Sequence, residues 1–197
     1  MNIRYGAILI VVSTWILPAW PQGAHNLIRN GDFERWAGDD PVGWETTSIP
    51  KVCVVVSASR QAYEGRTAAQ LVAKECFGSI MPGMITQKKV KIQPGEYQMK
   101  FWYKLEQVGG DVGYVTMEFR NREESTIRVC EERLTKSDGA WVAFAGTFPA
   151  PDGAASADLR VALLAGKDGG SLHAGTTLHI DGMVLTEVAQ KKGTSGP

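Results

Sequence analysis

The sequence is poor in the residues that most enzyme chemistry needs. Its 197 residues include three cysteines, at 53, 76 and 130, and three histidines, at 25, 173 and 179. No Cys/His cluster therefore has the close spacing of a zinc site. There is no Gly-x-Ser-x-Gly motif, and no cysteine sits in a catalytic context. Gly109-Gly110 and Gly169-Gly170 open no helical pattern, so they read as turns rather than phosphate cradles. The adjacent acids Glu123-Glu124 and Glu131-Glu132 would point to opposite faces of a strand and cannot form a carboxylate couple. These gaps argue against an enzyme. Net charge is lacking as well: Lys+Arg and Asp+Glu are 21 each, which leaves no global field to hold nucleic acid. No segment carries a long helical period, and no internal repeat points to a solenoid or propeller.

Only one long apolar run exists, Tyr5 to Leu17, broken by Ser13 and Thr14 and preceded by Arg4. As a helix it would reach about 20 Å, short of a hydrocarbon core of about 30 Å. Pro18 and Pro21 then end it. This is the form of a secretory signal peptide over 1–24, with cleavage expected between Ala19 and Ala24; a retained N-terminal anchor is the other reading. The expectation is an exported protein, extracellular or periplasmic, with no membrane contact after cleavage. Its folded domain would span 25–190, and 191–197 would be a disordered tail. Export permits disulfides. Cys53 lies in one strand-like run and Cys76 follows another, with a Glu64-Gly65 turn between. A hairpin folded about that turn sets 53 opposite 76 and predicts a Cys53–Cys76 bridge, with Cys130 left over. Three buried free thiols are the alternative.

What is plentiful is glycine, at 22 residues, above the usual share of about 7%, together with period-two alternation. Tyr97, Met99, Phe101 and Tyr103 share one face of a strand, and Gln98, Lys100, Trp102 and Lys104 the other. Val115, Met117 and Phe119 alternate with Tyr114, Thr116, Glu118 and Arg120. Leu159, Val161 and Leu163 alternate with Arg160 and Ala162. Nine or ten such short strands separated by turns argue for an all-β sandwich or barrel. By this alternation Trp102 and Tyr114 fall on the non-core face of neighbouring strands, shared with Lys100, Glu118 and Arg120 and joined by Arg160 and His179 from later strands. Flat rings beside hydrogen-bonding groups suit sugars, whose C–H edges stack on aromatics while their hydroxyls need donors and acceptors. The same residues also read as covering packing or cation–π pairs.

The run Asn26-Leu-Ile-Arg-Asn-Gly-Asp-Phe-Glu34, then Pro41-Val-Gly-Trp44, resembles the opening of secreted carbohydrate-binding modules of families 4, 9 and 22. Pro94-Gly95-x-Tyr97, Phe101-Trp-Tyr-Lys104, Trp141 to Phe148 and His179-Ile-Asp181 follow in matching order. The resemblance covers about 26–188. It implies a galactose-binding-like jelly roll, a β-sandwich of two antiparallel sheets, and non-catalytic binding of a polysaccharide or oligosaccharide in a cleft on one sheet. The ligand-binding candidates are Lys100, Trp102, Tyr114, Glu118, Arg120, Arg160 and His179. It also implies a structural Ca²⁺ held by Glu34, Asp181 and carbonyls near Gly31. Here Asp181 is followed by Gly182 where the family often has a second Asp. Trp44 is assigned to the core. The rival readings are an extracellular structural or adhesion domain without a sugar ligand, and an enzyme on the same fold with Glu118 as its acid/base candidate.

Overall fold

The computed structural model describes residues 25–47, 54–74, 83–106, 111–135, 137–164 and 172–188. The segment 1–24 read as a signal peptide, the segment 191–197 read as a tail, and both Cys53 and Cys76 lie outside the described residues. Cys130 is a free thiol.

Twelve strands and no helix make up these residues: β1 (Trp36–Ala37), β2 (Asp40–Pro41), β3 (Glu45–Thr46), β4 (Val54–Ser59), β5 (Ala68–Ala73), β6 (Gly83–Lys91), β7 (Gly95–Glu106), β8 (Val112–Arg120), β9 (Thr126–Leu134), β10 (Val142–Ala150), β11 (Ser156–Leu164) and β12 (Thr177–Glu187). β1 and β2 form a small hairpin. The others form two five-stranded sheets, β10-β7-β12-β5-β4 (sheet I) and β3-β6-β11-β8-β9 (sheet II), with every pairing antiparallel. This is a jelly-roll β-sandwich. From β5 to β8 and from β9 to β12 each strand enters the sheet opposite its predecessor, so few sequence neighbours are sheet neighbours.

The alternation read from the sequence decides which side chains fill the space between the sheets. Tyr97, Met99, Phe101 and Tyr103 of β7 are at most 4% exposed, and Val115, Met117, Phe119, Leu159, Val161 and Leu163 are sealed against them from sheet II. Each such side chain contributes roughly 1.5–3 kcal/mol of burial; truncating Met117 or Phe119 would leave a cavity in the middle layer. Trp44 is core, tilted against Phe33 with ring centroids 5.3 Å apart. Its indole N–H donates to the Arg29 carbonyl at 3.1 Å.

The opening segment is stitched along β12. The Leu27 N–H donates to the Leu185 carbonyl at 2.9 Å, and the Met183 N–H to the Gly31 carbonyl at 2.8 Å. A Cβ on Gly31 would lie 2.0 Å from the Met183 carbonyl oxygen, so only glycine lets these two backbones approach.

The β4–β5 hairpin forms as expected, but Val54 pairs with Ala73. It is therefore centred one residue earlier than a fold that sets 53 opposite 76.

Candidate functional site

The predicted site residues fall on two opposite surfaces. β7 pairs with β10 and β12 in sheet I, whereas β8 pairs with β11 and β9 in sheet II. Trp102 and Tyr114 both point outward, as the alternation implied, but from opposite sides of the sandwich. The shared cleft expected for them does not exist, because the chain changes sheets between Glu106 and Val112. Lys100, Trp102 and His179 belong to the outer face of sheet I. Tyr114, Glu118, Arg120 and Arg160 stay together on the outer face of sheet II.

On sheet I the Trp102 surface is covered. Tyr63, from the loop joining β4 to β5, stacks on Trp102 with centroids 3.9 Å apart and planes 16° from parallel. Trp141 meets Tyr63 edge-on at 5.9 Å and His179 edge-on at 6.2 Å. Lys104, buried beneath the loop, donates to the Gln61 side-chain carbonyl and pairs with Glu106 at 3.2 Å. His179 is 1% exposed and its Nδ1 has no hydrogen-bond partner. Burial, helped by the Lys104 charge, pulls its pKa down to about 4, so the ring is neutral at pH 7.

The loop is tied down by the two carboxylates nominated for calcium. Asp181 Oδ2 accepts the N–H groups of Tyr63 and Glu64 at 2.8 and 3.0 Å, and Oδ1 accepts that of Gly182 at 2.7 Å. Glu34 Oε1 accepts the N–H groups of Arg66 and Thr67 at 2.6 and 2.9 Å, and Oε2 meets the Arg66 guanidinium at 3.4 Å. These backbone bonds to Arg66 and Thr67 hold the Glu34 pKa below the usual carboxylate value. Burial raises that of Asp181 despite its three N–H bonds, and the neighbouring Glu34 charge adds to the rise. The bulge at Gly182–Met183, where Gly182 has φ +60° and the register shifts, aims Asp181 at the loop. The Gly31 carbonyl is engaged by Met183.

Every nominated calcium ligand thus already accepts an N–H bond. The described residues hold no group of three or more His, Cys, Asp or Glu that could bind a metal. A Ca²⁺ ion takes six to eight oxygens, and this arrangement fits a loop clamp better than a cation cage. A cleft of about 620 Å³ opens beside the clamp. Two of its lining side chains, Asn26 and Asn30, are spent on backbone groups.

The outer face of sheet II is built differently. Cross-strand pairing sets Met84, Ala162, Tyr114 and Arg133 in one row, and Thr86, Arg160, Thr116 and Glu131 in the next. The row below pairs Asp158 with Glu118. Tyr114 is half-buried, stacks on no other ring among the described residues, and lies beside the small Ala162.

Under it runs a charge lattice. Arg160 Nη2 contacts Glu118 at 2.5 Å, and Arg120 bridges Glu118 at 2.5 Å and Asp158 at 3.1 Å. Thr126 donates its hydroxyl to Glu118, and the Lys89 N–H donates to Asp158 at 3.0 Å. Burial pushes the Glu118 pKa up. The Thr126 bond and the Arg160 and Arg120 charges outweigh it, and the net shift is downward. Glu118 is therefore an anion locked between two guanidiniums, a poor proton donor at neutral pH. Sequence reasoning missed Asp158 and Tyr63. Asp158 could have been found from the alternation that marked Arg160. Tyr63 lies in a loop, where no periodicity applies.

The fold is one shared by carbohydrate-binding modules. A family 16 carbohydrate-binding module matches with TM-score 0.58 and 20% identity, over 82% of this chain and all of that one. A xylan-binding family 22 module from Paenibacillus barcinonensis Xyn10C matches with TM-score 0.56 and 17% identity, over 84% and 96%. The enzymatically active domain of tailspike protein 4 of bacteriophage CBA120 matches with TM-score 0.63 and 15% identity over 83% of this chain, which spans only 21% of the tailspike chain. No family model matches the chain, and no curated protein matches its sequence.

Proposed function

We propose that this chain is an exported, non-catalytic carbohydrate-binding module, and that its glycan lies on the outer face of sheet II rather than in a cleft around Trp102. The observation that carries the reading is the pairing of an unstacked aromatic ring, Tyr114, with a fixed lattice of donors and acceptors on a fold used by xylan-binding and other carbohydrate-binding modules. A pyranose ring would lie over the half-exposed face of Tyr114, its C–H groups against the ring. Arg160 and Thr116 in the next row, both partly exposed, would meet its hydroxyls. Because the salt bridges already hold Arg160 in place, little rotamer entropy is lost on binding.

A structural or adhesion role is the second reading. It is favoured by the closed aromatic face of sheet I, where Tyr63 occupies the surface a sugar would stack on. Affinity electrophoresis through gels containing xylan, galactan, β-glucan or mannan separates the two. Retardation in at least one gel that Tyr114→Ala abolishes is the expected result. Unretarded migration in every gel by the folded protein favours the structural role.

A further inference from the structure

β9 is the outer strand of sheet II, and among the described residues no strand pairs with its free edge. Eight of its nine residues are not buried. Ile127 and Val129 are 40% and 55% exposed, two of the few large apolar side chains open to solvent. A long exposed edge is a template for another strand. The charges on it decide what that strand could be. Arg128 and Glu132 sit two residues on either side of Cys130 and share its side of the strand, opposite the core residues Phe119, Val115 and Met117.

Inward-pointing charges usually guard an edge, because pairing would bury them alone. Here they are of opposite sign and symmetric about Cys130. A second copy of β9 running antiparallel about a two-fold axis at Cys130 would set each Arg128 against the partner's Glu132 and each Val129 against the partner's Glu131. No like charges would face each other. Moving the axis to residue 131 would oppose Glu131 to itself, and moving it to residue 129 would leave Arg128 and Glu132 without opposite charges. The bulge between Phe119 and Arg120 that displaces Ile127 would end the pairing after five residues.

We infer that β9 is a self-association edge: two copies of this chain join sheet II to sheet II in one ten-stranded sheet, with Cys130 on the two-fold axis. The inference does not rest on sugar binding. It would place two Tyr114 faces on one continuous surface, which suits a repeating polymer through bivalency.

Sedimentation equilibrium of the mature protein tests it without any sugar. A concentration-dependent dimer is expected. Arg128→Glu alone should weaken it at least about tenfold by opposing two glutamates, and the double variant Arg128→Glu/Glu132→Arg should restore it. Diamide, which takes two electrons and two protons from a pair of thiols, should produce a reducible covalent dimer lost in Cys130→Ser, since directly opposed Cα atoms lie about 4.5–5.5 Å apart. A monomer at every concentration, or a dimer indifferent to both charge reversals, would overturn the inference.

Discussion

The two outer faces of this sandwich use similar materials to opposite ends. Sheet I spends its aromatic surface on its own chain: Tyr63 lies flat on Trp102, Trp141 closes the side, and Asp181 and Glu34 bolt the loop down through four backbone N–H groups of residues 63–67. Sheet II keeps its ring unstacked and neutralises its charges pairwise beneath it. An aromatic side chain on an outer face is therefore not in itself a binding platform. Whether a loop has already taken the position of the ligand decides its role.

That contrast can be broken at several points. The largest effect is expected on sheet II. Glu118→Gln removes the acid shared by Arg120 and Arg160 while leaving both guanidiniums over a half-emptied lattice. Breaking a largely buried pair this way should cost about 3 kcal/mol in urea unfolding. A cost near zero would mean that the lattice is solvent-screened and holds nothing in place.

A similar effect on sheet I depends on pH. The His179 pKa is about 4 in the folded chain against an ordinary 6.5. As pH falls through 6.5 the unfolded chain gains a proton that the folded chain refuses until about pH 4. Stability is then lost across that window, by about 3 kcal/mol from this residue. The difference between wild type and His179→Gln, followed by thermal melts from pH 7 to pH 4, isolates it from the opposing contribution of Asp181. Parallel melting curves would show that the ring is not sealed under the loop.

Next in size, Trp102→Ala should cost about 2 kcal/mol of stability, because it strips the surface on which Tyr63 rests. Smallest is the response to calcium. With each nominated oxygen already accepting an N–H bond, Ca²⁺ or a chelator should leave the melting temperature unchanged. A rise with Ca²⁺ that Glu34→Gln abolishes would turn the clamp into a cation site.

How much of this was legible beforehand follows from the range of each signal. Alternation is local, and it sorted side chains correctly between the two faces of a sheet: Tyr97, Met99, Phe101 and Tyr103 on the core face, Lys100, Trp102, Tyr114 and Glu118 on outer faces. It carries no information about which sheet a strand joins. A jelly roll sends most successive strands to opposite sheets, so Trp102 and Tyr114 came apart although they are only twelve positions apart in the chain. The opening motif ending in Glu34 and the closing Asp181 were recognisable as two ends of one device. That the device grips the loop at Tyr63 depends on backbone N–H directions, which no residue pattern encodes. Asp158 was within reach of the same alternation that marked Arg160.

The central claim is that the glycan meets sheet II at Tyr114 and not sheet I at Trp102. Isothermal titration of one retarding polysaccharide into wild type, Tyr114→Ala and Trp102→Ala tests it most directly. The account predicts at least about a tenfold loss of affinity for Tyr114→Ala, consistent with a stacked ring worth 1.4 kcal/mol or more, and unchanged affinity for folded Trp102→Ala. Lost binding in Trp102→Ala with Tyr114→Ala unaffected would contradict it and return the site to the face that Tyr63 covers.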